Sequence, residues 1–194
     1  MTINAALNLV FPIRWGADGA PLMWAYHTPI SREVFEANYR VIAAAKAALF
    51  GKGVGYAVEV GPRIAALALA DAARQDALET GTDTDANPLL AELKRLTTVL
   101  APGPNGFELL PAELALGRKA IDEDDWAEAE SAVVFFTCGY AMAMRASRDK
   151  TGSALALALK GSMTSLPPME YAASSLTSTK AETSEPPTAS SLPS

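Results

Sequence analysis

The stretch LNLVFPIRWGADGAPLMWAYHT, residues 7–28, decides how the rest of the chain is read. Leu7, Leu9, Phe11 and Ile13 alternate with Asn8, Pro12 and Arg14, interrupted only by Val10, and this period of two belongs to a half-buried strand. Pro12 lacks an amide donor, which predicts an edge position for that strand. Gly16-Ala17-Asp18-Gly19 supplies turn chemistry, and Leu22, Trp24 and Tyr26 alternate again. A β-hairpin is therefore predicted over 7–28. Two strands alone are marginal in water, so Trp24 and Phe11 are expected to pack against the first helix.

Downstream the period changes to that of helices. Thr28 or Ser31 can cap a helix carrying Val34, Phe35, Tyr39, Ile42 and Leu49, which Gly51, Gly53 and Gly55 stop. A second helix is predicted after Gly61, with Pro62 at its first position and Ile64, Leu67 and Leu69 in an Ala-rich setting. The polar stretch 79–85 reads as a loop. A third helix starts at Pro88 and carries the stripe Leu89, Leu93, Leu96 and Leu100, and the PGPNG stretch at 102–106 forces a sharp loop after it. Following a short segment at 111–119, the acids 122–125 precede the most apolar helix of the chain. Its stripe is Trp126, Ala129, Val133, Phe136, Tyr140 and Met144, with Arg145, Arg148 and Lys150 toward its end, a charge order that matches the helix dipole. The uncharged run 131–144 falls short of the roughly 20 residues a spanning helix needs, and reads as the buried core helix.

The expected fold is α+β, mainly α: an N-terminal hairpin packed on a bundle of about four to five helices, in one domain over 1–161. From Ser162 the composition turns to Ser, Thr, Pro and scattered charge, which predicts a disordered tail over 162–194. Within that tail, Leu166, Met169 and Tyr171 flank two prolines that can start a helical turn. They read either as a short docking motif, the one candidate partner-binding site, or as part of an ordinary solvated end.

The chain has 194 residues, 49% hydrophobic and 20% charged, with a net charge of −6, a globular balance with no basic face for phosphate. Nucleic acid and membrane are not expected partners. A single cysteine and no secretory n- and h-regions at the start point to a reducing cytoplasm.

Candidate chemistry is sparse. His27 is the only histidine, so a metal site or a catalytic triad would hang on it alone; it reads as a structural residue that satisfies backbone groups at the hairpin-to-helix junction. Cys138 lies mid-helix among Phe135, Phe136 and Tyr140 and reads as an inert packed thiol. The glycines at 51, 53 and 55 follow a helix rather than a strand and lack the ending of a phosphate loop. Asp122, Glu123, Asp124 and Asp125 suit a helix start better than a cation loop. No catalytic, cofactor or metal residue is expected, and the chain is not read as an enzyme.

The blocks LVFPIR at 9–14, WAYHTPISREVFEANYR at 24–40, GPRIAAL at 61–67, PGPNG at 102–106, FFTC at 135–138 and the segment 163–179 resemble the tail assembly chaperones of tailed bacteriophages and prophages. That resemblance implies a non-enzymatic factor of the host cytoplasm that covers the tape measure protein while tail tube protein polymerises around it. Such families often make a second, longer product by programmed frameshifting. Self-association into a homo-oligomer would give the multivalent apolar cover such a task needs. The alternative is a minor structural protein, of the tail completion or connector kind, retained in the virion.

Overall fold

A computed structural model describes residues 7–81, 88–104 and 106–176. The predicted hairpin forms from β1 (Asn8–Trp15) and β2 (Pro21–His27), antiparallel, closed by Gly16 N donating to Ala20 O at 2.7 Å and by Gly19 at φ 78°. Leu9 pairs with His27 and Phe11 with Ala25, while Val10 pairs with Tyr26 and Pro12 with Trp24. Strand partners share a face, so this register puts Phe11 and Trp24 on opposite sides of the sheet. Phe11 joins the helical core as expected. Trp24 does not, and packs on the outer face beside Val10, Tyr26 and Leu100.

The hairpin is the middle of a larger sheet. The predicted leucine stripe of the third helix divides: α3 (Pro88–Arg95) keeps Leu89 and Leu93 buried, and then the chain becomes β3 (Thr97–Gly103). Thr97, Thr98 and Val99 are β-branched, which favours the extended backbone over another helical turn. Thr97 Oγ1 donates to Leu93 O at 2.7 Å and closes the end of α3. The PGPNG stretch turns the chain into β4 (Gly106–Pro111), with Gly103 opposite Gly106. The sheet order is β4-β3-β2-β1-β5, all neighbours antiparallel. The fifth strand is β5 (Ser162–Thr164), which pairs with residues 8–10 of β1 and stops short of Pro12.

α1 (Arg32–Phe50) begins as read, with Ser31 Oγ accepting from Val34 N at 3.2 Å, and Gly51 caps its end. α2 (Val54–Thr80) starts a full two turns earlier than predicted and carries Pro62 inside it. A proline there removes one helical hydrogen bond. The helix persists because Gly61, just before the proline, lies directly against α5 (Glu123–Tyr140): a Cβ at Gly61 would stand 2.6 Å from the Phe135 ring. Phe135 is in turn stacked on Phe50 of α1 at 5.4 Å. Three helices thus meet at one glycine.

α5 is the centre of the core, as its sequence predicts, and residues 131–139 are buried on every side. It ends at Tyr140 rather than continuing to Met144. Arg145–Ser147 forms a 3-10 turn, and Arg148 and Lys150 open a new helix, α6 (Arg148–Ala158). At the other end Asp122 and Asp125 form a reciprocal capping box, and Asp125 also pairs with Arg14 of β1. α4 (Ala112–Gly117) is a short connector from β4.

α1, α2, α5 and α6 cover one face of the sheet, where Leu9, Phe11, Ala25, Val99 and Leu110 meet Ile42, Leu49, Leu69, Phe135 and Phe136. The architecture is α+β and mainly helical.

The Gly61 contact gives a paired expectation. Gly61→Ala drives a methyl group into a ring that is itself held by Phe50, and should cost about 1 to 3 kcal/mol. Gly55→Ala, in the same helix with open space around the added Cβ, should instead be neutral or stabilise by up to about 1 kcal/mol. Urea melts of the two variants beside the wild type read the difference.

Candidate functional site

The expected departure of the chain at Ser162 does not occur. β5 pairs with β1, Tyr26 Oη donates to Leu166 O at 2.9 Å, and Leu166 N donates to Thr164 Oγ1 at 3.1 Å. α7 (Pro168–Tyr171) then lays Tyr171 and Ala172 onto the outer face of the sheet, in a second apolar cluster with Val10, Tyr26 and Leu100, edged by Trp24, Phe107 and Leu109. Of the three residues of the predicted docking motif, Tyr171 is 8% exposed and faces its own sheet, whereas Leu166 and Met169 are 37% and 64% exposed. The sheet supplies the apolar partner that composition alone could not show, so the segment is folded through residue 176. The tail predicted beyond it, over 177–194, lies outside the described residues.

Truncation after Gly161, or Tyr171→Ala alone, should therefore destabilise the fold. Removing a buried aromatic side chain costs about 3 kcal/mol, and the truncation adds loss of the β5 pairing. Thermal melting read by circular dichroism checks both.

A cleft of about 910 Å3 opens where the start of α1, the end of α5 and the start of α6 converge. Pro29, Ile30 and Phe35 form one wall and Leu7 another, and Phe136, Thr137 and Tyr140 form the floor. Phe136 and Tyr140, four residues apart on α5, stack at 4.8 Å. Arg32, Arg145 and Arg148 edge the cleft with Glu36 and Asp149. Arg32 is held by Glu36 at 2.6 Å; Arg148 lies over the Tyr140 ring at 5.9 Å and donates to Ala143 O at 3.4 Å. Burial pushes the Tyr140 phenol above its ordinary pKa, with the Arg148 charge opposing. Thr137 is a buried polar residue whose Oγ1 has no hydrogen-bond partner among the described residues.

The cleft was not legible in the sequence. Phe35, Phe136 and Tyr140 read there simply as core stripe residues, and Arg145 and Arg148 as the end of one long helix. Only the break after Tyr140 brings these arginines back across the end of α5.

His27 is completely buried and sits edge-on to Phe136, but its partner is a side chain rather than backbone. Thr97 Oγ1 spends its proton on Leu93 O, so it accepts from His27 Nδ1–H at 3.0 Å. Nε2 is left without a partner among the described residues. Cys138 is buried, and burial pushes its thiol up to about 12. The acids 122–125 serve the helix cap and the Arg14 pair. Among the described residues no group of three or more His, Cys, Asp or Glu side chains is placed to hold a metal ion, and no helix is long and apolar enough to cross a membrane. No family model, no curated protein and no solved structure matches the chain.

Burial lowers the His27 imidazole from 6.5 to about 3. The unfolded chain therefore takes up a proton that the folded state refuses. The stability tied to His27 is fully present above about pH 6.5 and falls as the pH drops toward about 3, by about 1.4 kcal/mol per pH unit. Between pH 6.5 and 4.5 the wild type should lose about 2 to 3 kcal/mol more than His27→Gln does. Urea titrations of both proteins at the two pH values measure the difference.

Proposed function

We propose that this protein is a non-catalytic tail assembly chaperone of a tailed bacteriophage, which holds the tape measure protein in the host cytoplasm and meets tail tube subunits as they polymerise. The observation that carries the reading is the open cleft. Its apolar and aromatic floor and charged rim suit the insertion of one face of an amphipathic helix, and a tape measure protein is a long helical chain. The sequence blocks that resemble tail assembly chaperones lead into the same place: the block at 24–40 supplies Pro29, Ile30 and Phe35, and the block at 135–138 supplies Phe136 and Thr137. A second contact is available at Leu166 and Met169, which stay exposed while Tyr171 anchors their segment to the sheet.

Co-expression with the tape measure and tube proteins of the same phage tests this. The tape measure protein is expected in the soluble fraction, co-purifying with this chain, and the chain should be missing from mass spectra of finished particles. A tape measure protein that stays insoluble or travels alone, together with abundant peptides of this chain in purified virions, would favour a retained structural component instead.

A further inference from the structure

We propose that residues 162–172 form an exchangeable strap, which seats on the outer sheet face of a second copy of this chain as it seats on its own, and so joins two copies reciprocally. The occupant of that face is already in view, and the exchange requires nothing of the chaperone reading.

The strap is held along one continuous seat. Ser162, Met163 and Thr164 pair with Val10, Leu9 and Asn8 of β1, Met163 packs against the helical core, and Tyr26 Oη donates to Leu166 O at 2.9 Å. Tyr171 and Ala172, each 8% exposed, close over Val10, Tyr26 and Leu100. A second copy presents every one of these groups in the same places. Exchange therefore keeps the interface and changes only the hinge.

That hinge is short and closes under strain. Only Leu159, Lys160 and Gly161 lie between α6 and β5. The reversal is made by Lys160 at φ 54°, with its N–H donating to Leu157 O at 3.0 Å and the Gly161 N–H to Ala156 O at 2.8 Å. Glycine is the residue that suits such a helix end; on a lysine the left-handed backbone favours an opened hinge by about 5- to 30-fold. The Lys160 ammonium, 5.1 Å over the Trp15 ring, offsets part of this. In a reciprocal dimer two hinges open, so the preference enters twice. A tethered strap competes at an effective concentration of order millimolar, and a short hinge under strain is what lets a second copy win below it. Lys119, the other left-handed lysine, joins α4 to the start of the central helix, where opening frees no separable segment.

The double variant Val10→Cys/Ser162→Cys puts a thiol on each side of the seat, at paired positions, while the native Cys138 stays buried. Refolded from urea and oxidised at about 1 mM, it is expected to give dimers joined by the new disulfide, whereas at about 1 µM the bond should stay within one chain. Non-reducing electrophoresis reads the split. In the chain without added cysteines, Lys160→Pro, whose ring excludes φ 54°, should dimerise at least about fivefold more tightly than wild type, and Lys160→Gly at least about fivefold more weakly. Light scattering across a concentration series measures both, with circular dichroism melts confirming that each variant folds. Disulfides confined to single chains at both concentrations, dimers not linked through the new bond, or a folded Lys160→Pro variant that stays monomeric would overturn the proposal. Any of these leaves the chaperone reading in place, since that is decided by recovery of the tape measure protein.

Discussion

A helix buried on all sides from Ser131 to Gly139 is the constraint on which the rest of this structure depends. A helix with one apolar stripe can lie on a surface, but one without a polar face must be surrounded. Here the sheet, α1, α2 and α6 enclose it. The approach of α2 is close enough that its contact residue is a glycine, and Gly139 of α5 meets Leu155 of α6 in the same way, at 2.5 Å from an added Cβ. The polar residues within the buried run are handled differently. Ser131 Oγ accepts from Ala66 N of α2 at 3.2 Å, whereas Thr137 Oγ1 has no partner among the described residues. The exception lies at the open end of the helix, beneath the cleft.

Packing of this kind leaves the polar groups of the core few choices. His27 sits at the end of β2, in register with Leu9 and Thr97, and points into the helical layer with Phe136 against its ring. It is kept neutral because burial makes the imidazolium expensive and the Thr97 hydroxyl offers only a lone pair, which fixes the tautomer and leaves Nε2 bare. The only histidine therefore serves as a buried link between β2, β3 and the end of α3. The four acids at the start of α5 are similarly absorbed: Asp122 and Asp125 cap the helix reciprocally, Glu123 and Asp124 lie in its first turn, and the pairing of Asp125 with Arg14 ties the start of α5 to the sheet.

The sheet has two apolar faces, and that asymmetry explains the C-terminal segment. Val10, Tyr26 and Leu100 alternate with residues of the helical core and point away from it. Left bare, they would form an exposed apolar patch; residues 162–172 cover part of it through one strand pairing, one Tyr26 hydrogen bond and the Tyr171 ring. The turn into β5 is tightly specified, with Lys160 at φ 54° and Gly161 so close to Val10 that a Cβ would meet its carbonyl oxygen. A segment with too little apolar content to fold alone is ordered here by a surface already built.

The sequence by itself determined the elements whose signals are local. The alternation over 7–28 specified the hairpin, Ser31 and Asp122 marked the starts of α1 and α5, and the apolar run 131–139 marked the central helix, because capping, turn chemistry and periodicity act within a few residues. Tertiary structure alone decided which side each strand residue faced, that Leu96 would end a helix and Leu100 enter a sheet, that Pro62 would be tolerated inside α2, and that Tyr171 would be buried. It also decided the cleft, whose lining comes from Leu7, the start of α1, the end of α5 and the start of α6, stretches far apart in the chain. Each of these depends on a partner surface distant in sequence, and a local pattern carries no record of the surface that will meet it.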